Sequence, residues 1–501
     1  MNDFKISKQT EAEKDQFLID CFHDAGFIKS LLESNISIVS GRKGTGKTAL
    51  ARYLENTSRD HGVDFILRIS IRDFSLEDYS DSREHINSIL FFVIITTVKR
   101  FLEKDIFDKH SKGHWNDFLL KNGLQNVVDY DTFVTVKKQN VTGFSMKAFL
   151  GSKFAHAEGD GSHQEESSLC RSDISNSPAS LIQALRESMP EGKKIIIFLD
   201  DVSDYLDTAG DEKVIKKEIS AIQEILLRLE SYNSIFCDSN KDMRFISLIR
   251  EDLFGLMLGS NINKLKTNSL SLEWDEDSFA SLLIRRLPFY SDTVEESLRD
   301  PKKAIQKVFP NEIFSTQLKE FYTNTYITNF YAYMVAISFN RPRDFLMFCY
   351  AMRERLSLKH PATFENIESA EIEYSDYFTR ELRDELFLVS KILNLELDQE
   401  KIDNLIELLN KKDGFNTSEL KTDLSKYLGE KTSLGNRKIE AFIENLWWYG
   451  VLGLRSTENK GNNLISFRYI SKHLPFVVAK IKSYTFYLHR GLWWFAQKRK
   501  K

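Results

Sequence analysis

Residues 41–48, GRKGTGKT, place the strongest constraint on how this chain can fold. They fit the pattern G-x-x-x-x-G-K-[ST], in which glycines let backbone N–H groups converge on phosphate oxygens. Residues 35–40 have the pattern of a short strand, and residues 49–54 have the pattern of a helix. A strand, a glycine loop and a helix in this order form the context that a phosphate-binding loop needs.

The loop supplies most of a predicted site for ATP and Mg²⁺. The Lys47 side chain can reach the β- and γ-phosphates, and the Thr48 hydroxyl can ligate the metal ion. The alternative interpretation is a glycine turn before an ordinary surface helix. The residues predicted to bind the phosphates here are Gly41, Arg42, Lys43, Gly44, Thr45, Gly46, Lys47, Thr48 and Ala49.

The second constraint is the segment 193–201, KKIIIFLDD. Its five apolar residues predict a fully buried strand of a parallel sheet, and two carboxylates follow them. Ligands of such sheets bind at the carboxyl ends of the strands. We therefore expect Asp200 to hold Mg²⁺ through water and Asp201 to orient or activate the attacking water. The alternative is an acidic turn after a core strand.

Arg250 is the third predicted catalytic residue, with Lys47 and Asp201. It follows residues 243–249, MRFISLI, which predict another buried strand. An arginine at that strand's end would face the γ-phosphate. It could instead pair with Glu251 or Asp252, which follow it directly in the chain.

The segment 340–346, NRPRDFL, offers two further candidates for nucleotide binding. Pro342 would lie near the base, and Arg343 would lie near the phosphates as a second sensor of the nucleotide. A helix start explains the same residues, because proline suits the first turn and Asp344 suits the positive N-terminal end. The sequence alone leaves both interpretations open.

The order of these elements predicts the fold class. It is an α/β P-loop NTPase domain with a parallel sheet of the additional-strand type, in which another strand lies between the loop strand and the acidic strand. A helical lid and a winged-helix domain follow. The predicted division is a helical lead-in at 1–34, the NTPase core at 35–274 with an irregular, flexible insertion near 104–180, a helical lid at 275–370, a helical and winged-helix domain at 371–470 and an aromatic-basic tail at 471–501.

Composition limits the environment in which the protein works. The 501 residues carry a net charge of −4, which predicts no global attraction to nucleic acid or to anionic membranes. The four cysteines lack CxxC or zinc-ligand spacing, so we expect buried or free thiols in a reducing compartment. The longest apolar stretch, 89–95, is too short to span a bilayer. We expect a cytoplasmic protein without a membrane partner.

The C-terminal region could bind DNA or pack against protein. Its candidate recognition segment, 433–446, carries Arg437 and Lys438 against Glu440 and Glu444. This balance is a poor electrostatic footprint for a nucleic acid, so a packing role is favoured.

Four segments in this order resemble a bacterial P-loop ATPase family within the class of STAND and origin-recognition-like AAA+ ATPases. They are GRKGTGKTAL, IIIFLDD, ISLIREDLF and NRPRDFL, and the resemblance covers roughly residues 15–470. It implies an ATPase domain, a lid and a winged helix, with Arg250 as the sensor arginine. Pro342 resembles the proline of a GxP motif, although Asn340 stands in place of the glycine. Some members act as regulated switches in antiphage defence beside an effector protein.

Three functions follow as alternatives. The first is an ATP-driven switch that assembles with itself or with an effector, for which Arg285 and Arg286 are candidate arginines acting across subunits. The second is an ATP-dependent DNA-binding protein that uses the winged helix. The third is a nucleotide-binding scaffold that hydrolyses little, which the two acids at 200 and 201 disfavour.

Overall fold

The structure is a computed structural model of the whole chain. The residues that it describes are 5–6, 11–71, 82–127, 129, 132–133, 178–201, 212–237, 241–257, 260–287, 294–317, 327–356, 361–392, 395, 397–411, 414–429, 433–456 and 484–499. Most of the predicted insertion, and the region 465–470 expected to end the winged helix, lie outside these residues.

The N-terminal half is built on a parallel sheet of five strands in the order β2-β3-β4-β1-β5. The strand β4 lies between the loop strand β1 and the acidic strand β3, which confirms the predicted additional-strand arrangement. Gly41 at the end of β1 is in register with Arg250 of β4, and Ser70 of β2 is in register with Asp200 of β3. The strands are β1 (Ile38–Gly41), β2 (Phe65–Ser70), β3 (Lys194–Asp200), β4 (Asp242–Arg250) and β5 (Ser269–Ser271).

Helices cover both faces of this sheet, which explains the unbroken apolar run in β3. Ile195 and Ile197 pack into the cluster on one face, whereas Ile196 and Phe198 pack into the cluster on the other. The helices are α1 (Leu18–Cys21), α2 (Phe27–Glu33), α3 (Lys47–Thr57), α4 (Ser82–Glu103), α5 (Lys109–Lys121), α6 (Pro178–Ser188), α7 (Glu212–Cys237), α8 (Glu251–Leu256) and α9 (Ser260–Thr267).

The helix α5 corrects the expectation that residues 104–180 are irregular. Trp115 is fully buried there and meets the ring of Phe118 edge-on at 5.6 Å. The sequence hid this helix because its lysines and histidines dilute the apolar spacing. The neighbouring α4 is long and apolar enough to cross a membrane, but 72% of its most apolar window is buried inside the protein. It therefore has the environment of a core helix.

The second half contains a helical region followed by a small sheet. A single hydrophobic cluster extends from Phe279 to Ala496 and also takes in Ile6 of the lead-in, so the predicted lid and the C-terminal region share one core. We call the described residues 276–499 the C-terminal body. Its first helices are α10 (Glu276–Arg286), α11 (Val294–Arg299), α12 (Pro301–Val308), α13 (Phe330–Ile337), α14 (Pro342–Met352) and α15 (Phe364–Ile392). The predicted domain boundary at 370 falls within α15.

The end of the body has the order helix, strand, helix, helix, strand, strand, helix. The strand β8 lies between β6 and β7 and is antiparallel to both. It belongs to the predicted tail, so the described part of that tail is folded into the body. This order is compatible with a winged helix, which stays a prediction. The elements are α16 (Gln399–Leu409), β6 (Phe415–Asn416), α17 (Thr417–Leu428), α18 (Ser433–Trp448), β7 (Leu452–Ser456), β8 (Tyr484–Leu488) and α19 (Trp493–Arg499).

His489, directly after β8, joins the small sheet to the lid. Its Nδ1 accepts the Gly491 N–H at 3.0 Å, and its Nε2 lies 3.2 Å from the Ser338 carbonyl oxygen. This pair of contacts fits the neutral ring that carries its proton on Nε2. Complete burial, and next the charge of Arg42, lower the pKa of His489 to about 3.

We expect His489 to make the protein acid-sensitive. Between pH 6.5 and about 3, His489 binds a proton in the unfolded chain but not in the folded chain, so the free energy of unfolding falls as the pH falls. This group contributes up to roughly 1.4 kcal/mol per pH unit. In His489→Gln, which keeps a donor and an acceptor but does not titrate, that part of the slope should disappear. Urea unfolding at pH 4 to 7 measures it, with the exposed His110→Gln as a control. Equal slopes in wild type and His489→Gln would contradict this assignment.

Candidate functional site: a phosphate loop between a sheet and a lid

The phosphate loop has a geometry that only glycine permits at two of its positions. A Cβ atom at Gly41 would lie 2.4 Å from the Thr45 Oγ1 atom, which itself donates to the Arg42 carbonyl at 2.8 Å. Gly44 has a φ of +87°, and a Cβ there would lie 3.1 Å from the Cβ of Arg343. The first glycine lets the loop close, and the second lets the lid approach it.

Lys47 and Thr48 begin α3 at the inner side of the loop. The Lys47 Nζ donates to the carbonyls of Gly41 and Arg42, at 2.8 and 3.1 Å. These bonds hold the ammonium group inside the loop, beside the backbone N–H groups at the start of an 11-residue helix. A helix N-terminus with an adjacent cation attracts anions. The loop therefore has the charge and the shape that a phosphate chain requires.

Asp200 and Thr48 form a pair of oxygen donors at the end of β3. The Asp200 Oδ1 accepts from the Thr48 hydroxyl at 3.2 Å and from the Asp201 N–H at 2.9 Å. Asp200 is only 2% exposed. Burial, and then the charge of Asp201, raise the pKa of the Asp200 carboxyl group. A hydroxyl and a carboxylate are hard oxygen ligands, so these residues fit Mg²⁺.

Asp201 has a backbone conformation that is rare for a residue with a side chain. Its φ is +59°, in the left-handed region. Its Oδ2 accepts the Ser70 hydroxyl at 2.7 Å, so the neighbouring strand β2 fixes the direction of the carboxylate. Ser70 did not emerge from the sequence, because nothing in residues 64–70 indicates which strand pairs with β3.

These groups line one cavity of about 430 Å³, within the size range of small-molecule sites. Arg250, which is 6% exposed, reaches it from the end of β4. The lead-in contributes residues 11–15 and the face around Phe22 and His23. The predicted site residues that line the cavity are Lys43, Gly44, Thr45, Gly46, Lys47, Thr48, Ala49, Asp200, Asp201, Arg250, Pro342 and Arg343.

Two of the predicted phosphate-binding residues, Gly41 and Arg42, are not among the residues that line the cavity. Gly41 contributes its carbonyl to Lys47, as described above. The Arg42 guanidinium donates to the Tyr449 carbonyl at 3.0 Å and lies 4.4 Å from the centre of the Phe339 ring. The Arg42 side chain therefore contacts the C-terminal body, and only its backbone belongs to the inner side of the loop.

Arg343 lies between the cavity and the body. Its N–H donates to the Gly44 carbonyl at 3.4 Å, and its guanidinium is 3.5 Å from the Glu381 carboxylate of α15. Burial tends to raise the pKa of Glu381, but Arg341, Lys43 and Arg343 lower it overall. Glu381 is therefore an anion that holds Arg343 beside the phosphate loop.

Arg341 is the most deeply buried contact between the lid and the loop, and the sequence did not single it out. It is 0% exposed and forms two hydrogen bonds of 2.9 Å with Asp344. It also donates to the Lys43 carbonyl at 2.7 Å. Asp344 therefore does more than favour a helix start, because it orients Arg341, which binds the backbone of the loop.

Trp274 is a second contact that sequence reasoning missed. It follows β5 and donates its indole N–H to the Thr45 carbonyl at 3.0 Å. The Asn340 side chain donates to the Trp274 carbonyl at 3.3 Å. A lone tryptophan between the last strand and the first lid helix was the available signal. It places an aromatic ring at the crossing from sheet to lid.

Two other groups of candidates have identifiable surroundings. Arg286 is buried and binds Asp15 of the same chain at 2.7 and 3.1 Å, so its charge is already used within one subunit. His110 is exposed and His114 is half-buried, with their Nε2 atoms 3.0 Å apart. No group of three or more potential metal ligands occurs among the described residues.

The candidate DNA-binding helix α18 offers little positive charge within the described part of the chain. Glu440 pairs with Lys421, and Lys438 is half-buried. The side chain of Arg437 lies outside the described residues. The described surface of this helix therefore gives no support to recognition of a phosphate backbone.

We expect Gly44→Ala to impair ATP binding far more than Gly62→Ala does. Gly62 also has a positive φ, +67°, but open space surrounds the position of its missing Cβ. Gly62→Ala should therefore cost only about 1–2 kcal/mol of unfolding free energy, from backbone strain. Gly44→Ala adds a tight contact of 3.1 Å with Arg343, so the lid must give way slightly, and it should weaken ATP binding by about tenfold or more, a loss of roughly 1.4 kcal/mol. Urea unfolding and titration with a fluorescent ATP analogue test both variants, and equal effects on ATP binding would contradict the geometry.

Comparison with known proteins gives a distant structural similarity. No family model matches the sequence, and no curated protein is similar to it. Among solved structures, the chain is similar to the crystal structure of Cdc6p from Pyrobaculum aerophilum, with 12% identity, 95% of each chain covered and a TM-score of 0.26. A likeness at this level carries no argument about function. The strand order and the loop geometry themselves define an α/β P-loop NTPase fold followed by a helical lid.

Proposed function

We propose that this protein is a Mg²⁺-dependent ATPase that works as a molecular switch. One observation carries the proposal: the inner side of the phosphate loop faces the cavity, while its outer side is bound by the C-terminal body. Arg42 binds the Tyr449 carbonyl, and Arg341 binds the Lys43 carbonyl. A ligand that adjusts the loop therefore changes the free energy of these contacts, which is the requirement for a switch.

The chemistry follows from the placement of the inner residues. The loop N–H groups and Lys47 bind the phosphates, and Thr48 with Asp200 holds Mg²⁺, which neutralises charge on the phosphate oxygens when bound. Asp201 orients the attacking water, since its second oxygen is fixed by Ser70. Arg250 and Arg343 stabilise the negative charge that develops on the γ-phosphate.

The switch depends on competition for Arg343. This arginine lies 3.5 Å from Glu381, an anion of the long helix α15. A γ-phosphate in the cavity would offer the same guanidinium a stronger partner, because it carries more charge and more acceptor oxygens. Binding of ATP would then weaken the contact between α14 and α15 beside the loop, and hydrolysis would restore it.

The biological setting is proposed on the resemblance described above. It supports a cytoplasmic protein that assembles with itself or with a separate effector protein, in bacterial antiphage defence. ATP is the proposed nucleotide, and Pro342 is the proposed contact to its base. The C-terminal winged helix would serve as a packing module within this assembly.

We expect Lys47→Ala to abolish both ATP binding and turnover, because it removes the cation of the phosphate loop. Asp201→Asn should keep binding but lower kcat by about a hundredfold or more, because water activation is lost. Equilibrium binding and phosphate release measure these effects, with the exposed Lys29→Ala of α2 as a control for charge. Turnover that survives Lys47→Ala would contradict the site. Slow turnover that Asp201→Asn leaves unchanged would point to a nucleotide-binding scaffold instead.

We expect Arg42→Ala to uncouple the loop from the body. In the wild type, addition of ATP should change hydrogen exchange in the region 446–451, because Arg42 binds the Tyr449 carbonyl. The change should be largely absent in Arg42→Ala and retained in the exposed control Arg59→Ala. An unchanged ATP response in Arg42→Ala would argue against this route.

Double-stranded DNA should not stimulate turnover, and a several-fold stimulation would favour a DNA-dependent ATPase.

A further inference from the structure

Arg68 on β2 joins two carboxylates through a single nitrogen atom. Its Nη1 lies 3.1 Å from the Oδ2 of Asp200 and 3.1 Å from the Oε1 of Glu13. Its buried Nε has no hydrogen-bond partner among the described residues. The Glu13 side chain is 40% exposed, whereas that of Asp200 is 3% exposed. Arg68 therefore neutralises a buried carboxylate that is placed to hold the metal ion and also contacts an acid that water already solvates.

Glu13 belongs to a short strap, residues 11–15, that borders the cavity. Arginines from three different elements bind this strap. One arginine comes from the loop helix α3, one from the strand β2 and one from the lid helix α10. The contacts join Arg52 to the Ala12 carbonyl, Arg68 to Glu13 and Arg286 to Asp15. The strap therefore connects the strand beside the metal site to the lid.

We propose that Arg68 is an exchangeable counter-ion of the metal-binding carboxylate. It neutralises Asp200 when that carboxylate has no metal ion to bind, and it moves to Glu13 when Mg²⁺ takes over the neutralisation. The inference rests on the proposed function, because it assumes that Asp200 serves Mg²⁺. Arg68 and Mg²⁺ thus compete for Asp200, and Glu13 receives the displaced arginine.

Electrostatics gives the direction of each effect. A buried carboxylate needs a partner, and two cations beside one carboxylate repel each other. Arg68 therefore opposes Mg²⁺ at Asp200, whereas Glu13 attracts Arg68 away and favours Mg²⁺. The alternative is that Arg68 simply holds Asp200 in place for the metal ion. Under that alternative, loss of Arg68 would weaken Mg²⁺ binding and loss of the Glu13 charge would change nothing.

The test measures the Mg²⁺ concentration that half-maximally supports binding of a fluorescent, non-hydrolysable ATP analogue. Arg68→Met, which keeps an apolar stem without the charge, should lower this concentration roughly three- to tenfold. Glu13→Gln should raise it by about threefold. Thermal unfolding without Mg²⁺ or nucleotide gives a second readout, in which Arg68→Met should melt at a lower temperature than the wild type and regain stability when both ligands are added.

The controls separate this inference from the proposed function. Asp64→Asn removes a carboxylate just before β2, where it pairs with Lys193 at 2.7 Å, and should leave the Mg²⁺ requirement unchanged. Lys47→Ala in the same assay tests nucleotide binding itself. If Lys47→Ala abolishes binding while Arg68→Met raises the Mg²⁺ requirement or leaves it unchanged, the counter-ion role is overturned and the site stands. Should Arg68→Met fail to fold, the half-exposed Glu13→Gln decides: a raised requirement supports the role, and an unchanged one overturns it.

Discussion

A buried ion pair, Arg341 with Asp344, sets the relation between the two halves of the molecule. Both side chains are 0% exposed, and the arginine has a further bond to the Lys43 carbonyl of the phosphate loop. Removing one partner of such a pair typically costs about 3–5 kcal/mol, because the other charge stays buried and unpaired. The lid therefore keeps a defined position over the loop. The Arg343 backbone binds the next carbonyl of the loop, and the Trp274 indole, at the crossing from sheet to lid, binds the one after it, so these contacts reach three successive residues, 43–45.

The phosphate loop consequently has two kinds of residue. Those that the sequence pattern fixes, such as Lys47 and Thr48, face the cavity and have chemistry that any phosphate site of this type requires. Two of the four that the pattern leaves free, Arg42 and Lys43, connect the loop to the C-terminal body through their side chains. In this chain, positions that the nucleotide-binding motif does not fix thus connect the loop to the C-terminal body.

Local patterns predicted much of the fold. The apolar run in β3 and the loop before α3 are strong signals because each depends on neighbouring residues only, and their order along the chain implied the strand order. The contacts of Arg68 and Ser70 could not be predicted because their partners, Asp200 and Asp201, lie more than a hundred residues away. The role of Arg341 was missed because its partner Asp344 was already explained by a helix start. The central strand of the small sheet escaped for the same reason, since β8 pairs with β6 across a long stretch of chain.

The single hydrophobic core of the lid and the C-terminal region has a mechanical consequence. Because the cluster is continuous from Phe279 to Ala496, a displacement of the lid would carry the C-terminal region with it. Helix α15 passes close to the loop at Glu381, which would be the pivot of such a displacement. At 1.5 Å per residue, its start at Phe364 lies about 25 Å from that pivot. A rotation of about 10° at the phosphate loop would displace this end by roughly 4 Å, a distance large enough to break or make a protein contact.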